Sequence, residues 1–323
     1  MSITARSTPN IALIKYWGNR NNDLRLPAAD SLSMTLNSPY VDVTVDHAEV
    51  LSVHSTSKQI NSKDTERFAK HVELMKNYLS TDSIPNSLSI HIDSHIPSGI
   101  GLASSAAVFS ALAKAVAGLS TQELTDEQVS VLARLGSGSA SRSILGGFVA
   151  MQNVGEDIDG AVAVQIADEY HWKLHDIVII PSGEEKKVGS TEGHAGAWTS
   201  PHFAARIEAI KQYRQQECID AILMRDFEKL QHISEEDALD MHHCMETQNP
   251  HLQYLTEDTH HILAQLRELR ERHHLPVLFT MDAGPTVHLI CTDKAKDAIS
   301  NFAHSQKNCK VFEATVGGGA CVL

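Results

Sequence analysis

Residues 97–119 read PSGIGLASSAAVFSALAKAVAGL, in which a glycine-containing turn runs directly into an alanine-rich segment carrying Ser104 and Ser105. Glycine allows close backbone approach, and a helix N-terminus offers unpaired N–H groups with partial positive charge. Together they form an anion site, most often for phosphate. The same residues also suit an ordinary strand-to-helix turn with a small-residue packing face. A Walker A loop is excluded, because the Gly-Lys-Ser/Thr ending is missing.

Working outward, LSIHIDSHIP (88–97) alternates apolar and polar residues and predicts a strand before the turn, as does VDVTVDHAEV (41–50). Between them Phe68, Val72, Met75 and Leu79 recur at helical spacing. The opening stretch therefore lies on a strand–loop–helix unit, its helix running from Leu102 to about Gly118. EQVSVLARL (127–135) predicts another short helix, broken by GSGSASR, and GGFVAMQ (146–152) predicts a strand. After GEDIDG the pattern changes. DIVIIP (176–181) reads as a buried strand, followed by a polar loop and helical segments over roughly 202–217, 220–232 and 252–274. VLFTMD and TVHLIC predict two strands joined through AGP, then a helix near 293–305 and the strand KVFEATV. Strand, helices, strand, strand, helix, strand is the ferredoxin-like split βαβ order. The expected architecture is two α+β domains with a cleft between them and a boundary near 170–180.

Composition narrows the function classes. At 323 residues the chain is long enough for two domains of ordinary size. No run approaches a membrane span and MSITARSTPN lacks a signal-peptide core, so a cytoplasmic protein is expected. Cys218, Cys244, Cys291, Cys309 and Cys321 form no CxxC pair and predict reduced thiols. The net charge of −13 argues against non-specific nucleic-acid binding, while a local basic cluster still permits an anionic ligand. Histidine doublets occur at 242–243, 260–261 and 273–274, without HExxH or comparable ligand spacing. Adjacent helical side chains point apart, so exposed helix positions are expected rather than a metal site.

Four further loops carry chemistry-bearing residues. NIALIKYWGNRN places Lys15 beside two aromatics, and GSGSASRS gathers Ser137, Ser139, Ser141 and Arg142 on flexible backbone. KKVGSTEGH sets Lys186 and Lys187 near small hydroxyl residues, and TMDAGPTVH puts Asp282 at the end of an apolar strand. Singly, each has a plain structural account: a surface lysine, connecting loops, a carboxylate bracing a turn. Together, N–H- and hydroxyl-rich loops with basic residues suit a polyanionic ligand, and a carboxylate at a strand end suits a base facing a hydroxyl.

NIALIKYWG, PSGIGLASSAA, RLGSGSASRSILGGF and MDAGPTVHLI, in this order from about Thr8 to Cys291, resemble the mevalonate diphosphate decarboxylases. These belong to the superfamily of galactokinase, homoserine kinase, mevalonate kinase and phosphomevalonate kinase. The resemblance implies that superfamily's two-domain α+β fold. An N-terminal ATP-binding domain of left-handed βαβ type would span 1–175, a ferredoxin-like domain 176–323, with the active site in the cleft between them. It implies ATP and Mg²⁺ as cofactors, and conversion of mevalonate 5-diphosphate into isopentenyl diphosphate, ADP, phosphate and CO₂. By motif, Asp282 would face the substrate 3-hydroxyl, Lys15 would pair with it, and Arg142 would hold the substrate carboxylate. Ser137, Gly138, Ser139, Ala140 and Ser141 would supply donors to the substrate, with Tyr16, Trp17, Gly18 and Asn19 at its phosphate end. Arg67 and Thr199 match phosphate-binding positions. Pro97, Ser98, Gly99, Gly101, Leu102, Ala103, Ser104 and Ser105 would line the nucleotide phosphates, with Ser104 or Ser105 near the magnesium ion. By analogy with the family, a homodimer is expected.

Two departures bear on the substrate. The family usually reads YWGK, whereas this chain reads YWGN, and STEGH introduces Glu192 into the later loop. Both reduce positive charge near a polyanion, for which Arg20 offers compensation. A phosphomevalonate decarboxylase acting on mevalonate 5-phosphate and yielding isopentenyl phosphate is the alternative these departures raise. A kinase stopping after 3-phosphorylation would lack the aspartate–lysine pair, and a silent binding module would not need it.

Overall fold

The computed structural model describes residues 2–79, 83–96, 104–181 and 190–323. In the N-terminal half, β1 (Ile3–Ser7) and β2 (Asn10–Ile14) lead to the short pair β3 (Asn19–Asn21) and β4 (Leu26–Pro27). Then follow β5 (Ser31–Thr35), β6 (Val41–His47) and β7 (Ser52–Ser55). In β6, Val41, Val43 and Val45 are buried while the residues between them are not, the period of a strand with one face on a core. Helix α1 (Ser62–Tyr78) starts at a capping box in which Asn61 and Asp64 exchange side-chain and backbone bonds, and it connects β7 to the parallel β8 (Leu88–Ser94).

Helix α2 (Ser104–Leu119) then packs on β1, β6 and the next helix, α3 (Asp126–Gly136). Its alanines at 106, 107, 111, 113 and 115 are buried, so the small side chains let it lie close to the sheet and helix around it. A 3₁₀ turn over Gly138–Ser143 precedes β9 (Phe148–Asn153) and β10 (Ala161–Ala167).

The C-terminal half opens with β11 (His175–Pro181) and helix α4 (Ser190–Gly196). The helical pattern expected from sequence is corrected here. Helix α5 (Phe203–Ala209), a π-helical segment over Ile210–Arg214 and α6 (Gln215–Met224) run on without a break. The interruption comes at Arg225, in the left-handed region, where Asp226 caps α7 (Phe227–Thr247) by accepting from the Lys229 N–H. QQECIDAILM contains no glycine or proline to stop a helix at 217, and α7 continues past 232 with its acidic Asp237 paired to the buried Arg206. Helix α8 (Glu257–His273), β12 (Val277–Thr280), β13 (Val287–Cys291), α9 (Lys296–Ser305), β14 (Cys309–Thr315) and β15 (Cys321–Val322) complete the chain.

The strands form a sheet in the order β15-β1-β6-β8-β7, a second in the order β10-β9-β5-β2, and a third in the order β12-β13-β11-β14. The third is fully antiparallel and has the ferredoxin-like arrangement. Its β11 is buried along its whole length, because both faces are covered. Ile177 and Ile179 pack with α8 and α9, whereas Val178 and Ile180 join a core shared with α6, α7 and the N-terminal sheets. The final strand returns to the N-terminal sheet, where Ala5 pairs with Val322. All five cysteines are free thiols. Among the described residues, no helix is long and apolar enough to cross a membrane.

Candidate active site

The carboxylate predicted from TMDAGP and the lysine predicted from IKYWG meet. Lys15 follows β2, Asp282 follows β12, and Lys15 Nζ donates to Asp282 Oδ1 at 2.7 Å. The lysine side chain is 1% exposed and the aspartate 30%, so the carboxylate faces outward with the ammonium behind it. Burial lowers the Lys15 pKa, and the Asp282 charge works against that. Helices α7 and α5 fix the lysine backbone: Asp237 Oδ2 accepts the Lys15 N–H at 2.6 Å, and Arg206 Nη2 donates to the Lys15 carbonyl at 3.1 Å. Arg206 and Asp237 are themselves a fully buried pair at 2.8 Å.

Arg142 lies in the 3₁₀ turn and is buried. Its guanidinium donates to Ser33 Oγ at 3.0 Å, Ser31 Oγ at 2.7 Å and Asn10 Oδ1 at 3.4 Å, all neutral acceptors. Burial pushes its pKa down to about 10 against the opposing charge of Asp282. Among the described residues it has no carboxylate within ion-pair distance, a cation held ready for an anionic ligand. The Ser137 hydroxyl lies 3.3 Å from that of Ser105 and 3.4 Å from that of Ser139, joining the start of α2 to the turn. Ser141 instead points inward, onto the Gly138 carbonyl and the Met151 sulfur. Ala140 is buried, and a Cβ at Gly138 would lie 2.4 Å from the Tyr16 ring, which therefore packs directly on the turn.

The Tyr16–Asn19 stretch forms the adjoining wall. Tyr16 donates from its hydroxyl to Asn19 Oδ1, and burial raises its pKa. Trp17 Nε1 donates to Gln248 at 3.1 Å. Gly18 has φ +76°, and a Cβ there would meet the Phe203 ring at 2.3 Å. Its N–H donates to His194 Nδ1, whose ring stands 4.5 Å from those of both Tyr16 and Trp17. Burial pushes His194 down to about 3, so this imidazole is neutral. Arg67 donates to the Gly136 carbonyl immediately before the serine-rich turn. Thr199 is exposed and bonds the Gly196 carbonyl and the Asn249 N–H. Ser104 is exposed at the start of α2. Pro97, Ser98, Gly99, Gly101, Leu102 and Ala103 lie outside the described residues, as do Lys186, Lys187 and the side chain of Glu192. Arg20 does not turn toward Asn19: it binds Glu156 and the carbonyls of Pro27, Gly155 and Gly160.

The expectation that the histidine doublets lie on exposed helix faces fails at one position. His242 is 2% exposed, lies near Lys15 and Asp282, and is pushed down to about 4 by burial and then by the Lys15 charge. Its Nε2 has no hydrogen-bond partner among the described residues. Burial recurs on α7 at Leu230, Ile233, Asp237, Ala238, Met241 and Met245, and His242 shares that stripe. His243, one residue on, is exposed, with its ring tilted against that of His202 at 4.2 Å. Sequence reasoning also missed His194, Asp237, Arg206, Asn10, Ser31 and Ser33.

Three sheets in this order, with an ion pair joining the two halves of the chain beside a hydroxyl-lined turn, define a two-domain α+β protein of the galactokinase–homoserine kinase–mevalonate kinase–phosphomevalonate kinase type. Residues 7–163 match the family model of the diphosphomevalonate decarboxylase-like N-terminal domain, and 176–316 match the mevalonate 5-diphosphate decarboxylase C-terminal domain. The chain belongs to the diphosphomevalonate decarboxylase family. It is 34% identical to the diphosphomevalonate decarboxylase of Danio rerio over 88% of this chain and 74% of that one. Against the Homo sapiens protein of the same name, identity is 33% over 93% and 78%. The crystal structure of mevalonate diphosphate decarboxylase from Staphylococcus aureus superposes with a TM-score of 0.91 at 31% identity, covering 100% and 98% of the two chains. A complex of MDDEF with MVAPP, AMPPCP and magnesium gives 0.90 at 30% identity, covering 100% and 99%.

Proposed function

We propose that this chain catalyses the ATP-dependent decarboxylation of mevalonate 5-diphosphate to isopentenyl diphosphate, ADP, phosphate and CO₂. The observation that carries the reading is the Lys15–Asp282 pair, with the lysine sealed behind a partly exposed carboxylate. Asp282 accepts the proton of the substrate's tertiary 3-hydroxyl as that oxygen takes the γ-phosphoryl group from ATP. Lys15 holds the carboxylate ionised and aimed. Phosphate then leaves with the electrons of the C–O bond, and the electron-deficient carbon draws the pair from the bond to the carboxylate. The products are the alkene and CO₂. Arg142 receives the substrate carboxylate through its planar fork, and Ser137 and Ser139 orient the substrate from the same turn.

Ser105 and the exposed Ser104, at the start of α2, offer hydroxyl ligands of the kind that suit a magnesium ion carried in by nucleotide phosphates. Among the described residues there is no cluster of three His, Cys, Asp or Glu able to cage a metal, which fits delivery with the nucleotide. Bound magnesium neutralises charge on the phosphates. The proposed division is 1–175 for nucleotide binding and 176–323 for the ferredoxin-like unit, whose tail returns to the first sheet. The free thiols support a cytoplasmic protein. Exposed Tyr170, Leu223 and Met224, gathered where His171 bonds the Ile222 carbonyl, support a homodimer.

The test is product identity. With ATP, Mg²⁺ and mevalonate 5-diphosphate, purified protein is expected to form isopentenyl diphosphate, ADP, phosphate and CO₂ in equal amounts. ADP accompanied by a stable 3-phosphorylated product and no CO₂ would overturn the reading.

A further inference from the structure

Asn19 stands where the resembling family carries a lysine, and Arg20 is bound elsewhere, so the phosphate end of the site lacks one cation. Next to Asn19 the structure contains an alternative source. Asn19 Nδ2 donates to Asn22 Oδ1 at 3.1 Å, and Asn22 lines a cavity of about 60 Å³ together with Asp23, Arg25, Arg67, Lys70 and Gly136. A single water needs roughly 10–15 Å³ of such space, so the cavity admits a larger group.

Lys70 is paired with Asp23 at 3.3 Å. Arg25 Nε donates to the Leu135 carbonyl at 3.1 Å, and Arg67 Nη2 to the Gly136 carbonyl at 3.2 Å. Among the described residues neither guanidinium has a carboxylate within ion-pair distance. The buried Nε of Arg67 has no hydrogen-bond partner there. Burial, and after it the neighbouring Arg25 charge, pushes Arg67 down to about 10, and its guanidinium lies over the Phe109 ring, 4.4 Å from the centroid. The field of Arg25 also reaches Tyr16 and His194 on the wall of the active site. Both arginines attach to the two residues preceding Ser137, so the cavity continues the turn that carries Arg142.

We infer that Arg25, beside Arg67, binds the terminal phosphate of the substrate and supplies the charge that Asn19 lacks. This rests on the proposed decarboxylation of mevalonate 5-diphosphate. Arg25 then sets the preference for a diphosphate over a monophosphate. The charge pattern suits it, because mevalonate 5-diphosphate carries a carboxylate, for Arg142, at one end and its diphosphate at the other.

The test compares wild type, Arg25→Gln, Arg25→Lys and the double variant Arg25→Gln/Asn19→Lys. Steady-state kinetics are run with mevalonate 5-diphosphate and 5-phosphate, and inorganic pyrophosphate is titrated by calorimetry. Arg25→Gln is expected to lower kcat/KM for the diphosphate about tenfold to thirtyfold, mostly through KM, and to weaken pyrophosphate binding similarly. The monophosphate should lose less than about threefold. Arg25→Lys should retain part of the preference, and Asn19→Lys should restore most of what Arg25→Gln loses. Equal loss on both substrates, or unchanged KM and pyrophosphate affinity, would overturn the inference. If wild type turns over neither ester, the functional reading fails, and the pyrophosphate titration still decides Arg25.

Discussion

A lysine with 1% of its side chain exposed would be costly to keep charged without a partner, and Asp282 is that partner. Because burial lowers the Lys15 pKa, its charge is lost below the usual lysine range as pH rises. The alkaline limb of the kcat profile is therefore expected to fall below pH ~10.4, the value for an unperturbed lysine. A profile that stays level beyond that point would show that the ammonium is not required. Lys15→Met should remove the limb and most of the turnover together. Arg142 tests a different feature. Arg142→Lys keeps a cation but loses the fork that now spans Ser33, Ser31 and Asn10, so kcat/KM should drop at least about tenfold. Normal rates in that variant would rule out two-pronged carboxylate recognition.

At the scale of elements, α7 does two jobs. It covers one face of the ferredoxin-like sheet, and through Asp237 it fixes the backbone of Lys15 and the charge of Arg206. Asp237→Ala would leave the buried Arg206 with only Asp240, at 3.6 Å, as its counter-charge and the Lys15 N–H without its acceptor. Its expected cost is about 3–5 kcal/mol, read as a lowered midpoint of chemical denaturation. A loss below about 1 kcal/mol would show that the pair does not hold the two halves together. This role was hidden in the sequence. An acidic run such as SEEDALD looks like a solvated helix end, and only the stripe through Leu230, Ile233, Met241 and Met245 shows that the helix continues with Asp237 inside. The same stripe places His242 inward, whereas a doublet read by composition alone looks like surface. By contrast, the strands of the ferredoxin-like unit were legible. Their short apolar runs, bounded by turn residues, have the length and composition of strands covered on both faces.

For the molecule as a whole, the buried His71 and His242 and the half-buried His194 set the response to acid. His71, His194 and His242 are pushed to about 4, 3 and 4 in the folded chain, in each case mainly by burial. Unfolded, they titrate near 6.5. Between those values the unfolded chain binds more protons, so stability is full above pH ~6.5 and is lost as pH falls toward 4. Every tenfold loss of proton affinity on folding corresponds to roughly 1.4 kcal/mol. The melting temperature should hold level from pH 8 to 7 and decline steeply below about 6; a level profile through pH 5 would contradict the burial of these rings. The motifs made the two-domain plan and the Lys15–Asp282 pairing legible, because each motif keeps its chemistry on adjacent residues. Partners that meet only in space, such as Asn10, Ser31 and Ser33 around Arg142 or Arg25 beside Arg67, leave no local pattern.

The central claim is that Asp282, backed by Lys15, works on the substrate hydroxyl and not on nucleotide binding. Its most direct test is single-turnover release of CO₂ from carboxyl-labelled mevalonate 5-diphosphate by Asp282→Asn, with ATP affinity measured on the same preparation. The account predicts CO₂ release slowed by about a thousandfold or more, while ATP binding changes less than about threefold. CO₂ release within about tenfold of wild type would contradict it.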